Sequence, residues 1–211
     1  MIKKTSLIVL TALMVTGFSI ASVSAALGVD PFQSILRELR EKTAVPILLP
    51  SQLPQENYTI LPQGSEPTNP NPSVPTLYPY LVEASPSRYD ISLDVTPECG
   101  GTGACKEGSI IGEQITAKTA EMPERFTELS ELYRNDPNSQ RPPVRRSPEP
   151  PESVQLAGGI RGYFIPFTCG ASCGESRVVW DQNGYRYQVG LESSEQQAVV
   201  NLANSAIENH E

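Results

Sequence analysis

The sequence predicts an α+β fold: a single twisted antiparallel sheet of about five to seven strands, with N- and C-terminal helices packed on it and proline-rich loops. Three observations carry that prediction. Between Arg88 and Val95 apolar and polar residues alternate strictly. Asn183-Gly184 sits between two β-rich runs, and apolar residues recur at helical spacing near both ends of the expected mature chain.

Taken in order, the segment 26–62 opens with Asp30-Pro31, a capping residue and a proline suited to a first helical turn. Phe32, Ile35, Leu36 and Leu39 then form one face of a short helix ending near Thr43. Val45 to Pro54 is apolar but holds three prolines, so it predicts an extended segment along the core rather than a central strand. Residues 63–77 form a proline-rich loop.

The main α+β domain spans 78–209. Tyr80–Ala84 is its first strand signal. In Arg88–Val95, Tyr89, Ile91, Leu93 and Val95 face one way and Asp90, Ser92 and Asp94 the other, the pattern of a strand with one dry and one wet face. Ser109–Ala117 predicts a further strand and Pro123–Arg134 a short helix. Residues 135–152 hold six prolines and read as an insertion that need not pack. Ile160–Phe167 is a strand. Ser176–Gln182 and Tyr185–Leu191 form a hairpin about Asn183-Gly184, and a two-residue turn sets Trp180 opposite Tyr187 and Asp181 opposite Arg186. Ser193 and Ser194 stand at capping-box spacing before Gln196 and Gln197. Val199, Val200, Ala203, Ala206 and Ile207 give the terminal helix its buried face.

The start of the chain reads as an export leader. Lys3 and Lys4 precede an apolar stretch, Leu7–Ile20, and Ser22-Val23-Ser24-Ala25 supplies a small-residue ending, so residues 1–25 are expected to be cleaved after Ala25. The apolar stretch is shorter than the roughly 18 residues of a spanning helix. The expected setting is exported, periplasmic or extracellular, with no stable membrane insertion after cleavage. Formal net charge is −8, and loss of Lys3 and Lys4 with the leader takes it to −10. Such a charge repels phosphate backbones, so nucleic acid is not an expected partner.

Four cysteines occur as Cys99/Cys105 and Cys169/Cys173. In an exported chain they read as disulfides, and four allow three pairings. The local pairs, Cys99–Cys105 and Cys169–Cys173, are preferred because glycines let each short loop bend. A four-thiolate zinc site is the rival reading, with spacings of five and three intervening residues. Redox chemistry is weaker, since neither pair is Cys-x-x-Cys.

The inventory excludes most enzyme classes. The only histidine is His210, next to the C-terminus, which argues against histidine-based triads and metal centres. Neither H-E-x-x-H nor a phosphate-binding loop occurs. No metal or other cofactor is expected. Paired carboxylates among Glu83, Asp90, Asp94 and Glu113 leave a glycan hydrolase as the alternative reading. A non-enzymatic binding module for a protein or glycan of the cell envelope is the leading one. Its candidate surface is aromatic: Tyr78, Tyr80, Tyr163, Phe164 and Phe167.

The stretch VQLAGGIRGYFIPFTCGASCGESRVVWDQNGYRYQVGLESSEQQAVVNLANSAIE, with the earlier LLPSQLP and CGGTGAC, resembles a family of uncharacterised exported bacterial proteins met especially in cyanobacteria. The resemblance rests on the two cysteine pairs and the ending of Trp180, hairpin and helix. It implies a periplasmic or extracellular setting and carries no activity or catalytic residue with it.

Overall fold

The computed structural model describes residues 30–54, 76–135, 147, 149–170 and 172–209. The expected leader, most of the 63–77 loop and most of the 135–152 insertion lie outside the described residues. The domain is an α+β fold built on one open antiparallel sheet of seven strands. These are β1 (Tyr78–Ser85), β2 (Arg88–Asp94), β3 (Lys106–Gln114), β4 (Glu152–Gln155), β5 (Arg161–Ile165), β6 (Glu175–Gln182) and β7 (Tyr185–Glu192). Their order across the sheet is β1-β2-β3-β7-β6-β5-β4. The chain therefore lays down one meander from an edge to the centre, crosses to the opposite edge, and returns by a second meander. The two meet where β3 pairs with β7, from Gly108 opposite Leu191 to Gln114 opposite Tyr185.

One face of the sheet holds the main core. Helix α1 (Gln33–Lys42) buries Ile35 and Leu39 beside Phe32. It begins two residues later than the sequence suggests. Asp30 Oδ1 accepts the N–H of Phe32 at 2.9 Å, so Asp30-Pro31 makes a turn ahead of the helix instead of capping it. Val45, Leu48 and Leu49 follow as an extended, buried segment. Prolines deny this segment a ladder, and tyrosine hydroxyls from the sheet supply partners. Tyr89 accepts the N–H of Leu48 at 3.2 Å, and Tyr187 donates to the carbonyl of Pro46 at 3.2 Å. Burial pushes both phenols well above their ordinary range, which keeps them neutral donors.

The C-terminal hairpin has the register that its turn dictates: Gln182 opposite Tyr185, Asp181 opposite Arg186, Trp180 opposite Tyr187 and Val178 opposite Val189. Both turn residues have positive φ, 53° at Asn183 and 83° at Gly184, as a two-residue turn of this hand requires. Trp180 and Tyr187 stack with centroids 5.5 Å apart, and Arg186 forks onto Asp181 at 2.8 and 3.0 Å. Helix α3 (Gln196–Glu208) packs over β6 and β7 with Val199, Val200, Ala203, Ala206 and Ile207 buried. Its expected capping box does not form. Glu195 occupies the cap position without a side-chain bond, and Glu149, from the chain before β4, accepts the Gln196 N–H at 2.6 Å.

On the opposite face, helix α2 (Met122–Asn135) lies over β5, where Phe126 meets Tyr163 at 5.0 Å. The expected wet face of β2 needs correction. Ser92 and Asp94 are as buried as the apolar residues that alternate with them. The loop closed by Cys99 and Cys105 folds back over them, and a pattern read along one strand cannot reveal a cover that comes from later in the chain.

Candidate functional site

Strand β1 is an edge of the sheet, and it carries the exposed large apolar side chains found among the described residues: Tyr78, Tyr80 and Val82, at 39%, 44% and 52% exposure. Alternation turns Tyr78 and Tyr80 to one face. The register with β2 then shifts between Leu81 and Glu83, so Val82 is the extra residue of a bulge. Val82, two residues beyond Tyr80, still lies on the side of the tyrosines, where it and Tyr80 both meet Gly101.

The disulfide loop forms the wall of this strip. Cys99 is bonded to Cys105, and between them Gly101 takes φ 75° and donates its N–H to Asp94 Oδ2 at 2.8 Å. Asp94 also receives the Ser92 hydroxyl. At Gly101 the backbone runs so close to β1 that a Cβ would stand 3.0 Å from Val82 and 3.3 Å from Tyr80. The second disulfide, Cys169–Cys173, closes the bend before β6.

Beyond the bulge the strip becomes charged. Arg88 reaches Glu83 at 3.3 Å, Asp90 at 3.1 Å and Glu113 at 2.9 Å, so one guanidinium meets carboxylates from three strands. Burial alone would lower the Arg88 pKa, but Asp90, Glu113 and Glu83 outweigh it and raise it. The patch keeps a net charge of −2, one cation against three anions.

A second acidic group lies at the other end of β3. Glu175 takes the Ser109 hydroxyl at 2.6 Å and pairs with Lys106 at 3.2 Å. Burial, then Glu192, raises the pKa of Glu107, while burial, then Glu175, raises that of Glu192. Arg177 is lowered, first by burial and then by Arg125, against the pull of Glu175. Among the described residues no group of three or more His, Cys, Asp or Glu is arranged to hold a metal ion.

The five aromatic residues picked from the sequence do not form one patch. Tyr78 and Tyr80 are on β1, whereas Tyr163 and Phe164 are on β5, with four strands between. At about 4.8 Å per strand that is a separation of roughly 24 Å. Phe164 is fully buried and belongs to the core. Tyr163 is half-buried under α2, and Phe167 is half-buried with its N–H bonded to Ser176 Oγ at 3.3 Å. The residues that complete the β1 strip, Val82 and Gly101, are not evident from sequence. The bulge has no sequence mark, and a Gly-rich loop between cysteines announces a turn without saying where it lands.

No family model, no curated protein and no solved structure matches this chain. Its features are a seven-stranded open sheet, two local disulfides and, among the described residues, no helix long and apolar enough to cross a membrane.

Proposed function

We propose that this protein is a non-enzymatic interaction module of the cell envelope, and that the β1 strip is where it receives a protein partner. The observation that carries this reading is the row of exposed Tyr78, Tyr80 and Val82 running into the net-negative patch around Arg88. Tyrosines supply contact area at small entropic cost, and a disulfide-braced wall limits what must be ordered on binding. The complementary partner surface is apolar with a basic flank. The leader-like start, the two disulfides and the resemblance to exported bacterial proteins support a periplasmic or extracellular setting.

The alternative, a glycan hydrolase using paired carboxylates, would draw on Glu83, Asp90 and Glu113. That arrangement commits an oxygen of each to Arg88. Asp94, buried against Ser92 and Gly101, is committed to the loop.

The test is site-specific photo-cross-linking in the native envelope, with the photoreactive residue placed at Tyr80 and, as a control, at exposed Arg37 on α1. Capture of one protein from Tyr80 and not from Arg37, weakened by added salt, supports the reading. Capture of glycan alone, or the same products from both positions, overturns it.

A further inference from the structure

Helix α3 and the chain after Leu49 border an open cleft of about 430 Å³ lined by Ser51, Asn201, Asn204, Ser205, Glu208 and Asn209. Its volume falls within the roughly 300–1,000 Å³ of small-molecule sites, but its lining is polar throughout. Asn201, Asn204, Ser205 and Glu208 stand at i, i+3, i+4 and i+7, so one stripe of α3 forms the floor. Such a stripe is ordinarily a solvated helix face. Here the cleft stays open to solvent, but Asn204, Ser205 and Asn209 are held by hydrogen bonds to the surrounding chain.

Asn204 Oδ1 accepts the N–H of Ala157 at 2.8 Å, and Asn209 Nδ2 donates to the carbonyl of Leu49 at 3.0 Å. Ser205 Oγ accepts the N–H of Ser51 at 3.1 Å, and Asn201 Oδ1 accepts from Gln197 Nε2 at 2.8 Å. Each carboxamide is therefore engaged through one of its ends, and among the described residues none takes up the other: the Nδ2 donors of Asn201 and Asn204, and the Oδ1 acceptor of Asn209. Glu208 adds an acceptor, and neither Lys nor Arg is part of the lining.

We infer that this cleft is a binding site for a neutral saccharide. A hydroxyl both donates and accepts, so adjacent sugar hydroxyls match a surface that alternates amide donors with amide and carboxylate acceptors. An anionic ligand would meet Glu208 with no cation to balance it, and an ammonium would leave the two amide donors unmatched. No aromatic ring lines the cleft, so stacking adds nothing and the affinity expected is weak, with a Kd of about 1 mM. The site is independent of the β1 strip.

The experiment is an NMR titration of the leader-free chain, labelled with ¹⁵N, against maltotriose, cellotriose and chitotriose. Saturable shifts of the Asn201 and Asn204 side-chain amides with at least one trisaccharide are expected. Asn204→Asp and Asn201→Asp keep the oxygens that accept from Ala157 and Gln197 and replace each NH2 donor by a charged carboxylate oxygen that can only accept. Together they should weaken binding about tenfold or more, since two hydrogen bonds to the sugar are lost. If the double variant does not fold, Asn201→Asp alone decides, because its side chain is exposed. A Tyr78→Ser variant should bind sugar like the wild type, which separates this site from the β1 surface. No saturable shift up to about 10 mM of any of the three sugars, or unchanged affinity in the Asp variants, overturns the inference.

Discussion

The carboxylate of Asp94, fully buried at the end of β2, accepts the backbone N–H of Gly101 at 2.8 Å and so fastens the disulfide loop to the sheet. The disulfide closes the loop on itself, but this hydrogen bond determines where the closed loop rests. Asp94→Ala strands both the Gly101 N–H and the Ser92 hydroxyl and should cost about 1–3 kcal/mol. Asp94→Asn retains an acceptor and should cost less. Urea unfolding with the disulfides intact measures both. A loss for Asp94→Ala no larger than that for Arg37→Ala on the surface would show that the bond does not anchor the loop.

Gly112 is fixed by contact. It lies opposite Tyr89 across β2 and β3, and a Cβ there would overlap the buried phenol ring. The ring cannot swing aside without breaking its hydrogen bonds to Leu48. Gly112→Ala should therefore destabilise by about 1–3 kcal/mol through overpacking. Shortening the ring to Leu in the same chain should recover part of that loss. A double-mutant cycle in thermal unfolding measures this as a coupling of about 1 kcal/mol, and strict additivity would rule out the overlap.

Acidification should help this protein over part of the pH range. Glu107 and Glu192 both have folded-state pKa values raised, first by burial and then by neighbouring carboxylates, with Lys106 and Arg177 the nearby cations. A raised carboxyl binds its proton more tightly in the folded state. Its contribution is thus complete below the ordinary glutamate value of about 4.3 and is lost as pH rises through the folded value. Glu107→Gln and Glu192→Gln should each raise the neutral-pH melting temperature and flatten its dependence above about pH 4.3. Melting curves from pH 4 to 8 check this, and a Gln variant less stable than wild type at pH 7 would contradict it.

How much of this could be read from the sequence depends on how local the deciding interactions are. The register of the hairpin from Glu175 to Glu192 follows from Asn183-Gly184 and the pairing of Trp180 with Tyr187, all within a few residues. Helices α1 and α3 follow from apolar spacing. The cap of α3 is not legible in the sequence because Glu149, 47 positions before Gln196, takes the place of the nearby serines. Strand β4 leaves no mark in the sequence, since Glu152–Gln155 has little apolar content and gains its place by pairing with β5. The aromatic residues near β1 and β5 read as one surface in the sequence, which does not carry the sheet order. With four strands between them, they are two places with different neighbours.

The sheet order also bears on how such a chain is finished as it emerges, N-terminus first. Cys99 finds its partner six residues on and Cys173 closes a bond begun four residues earlier, each within a single meander. Neither bond needs the opposite half of the protein, and the first meander can be covalently complete before Cys169 exists as a competing thiol. The two meanders join by the zipping of β7 onto β3, a ladder that no cysteine pair crosses. Mistakes in assembly at that seam therefore stay reversible, since no mispaired sulfur need be undone to try again.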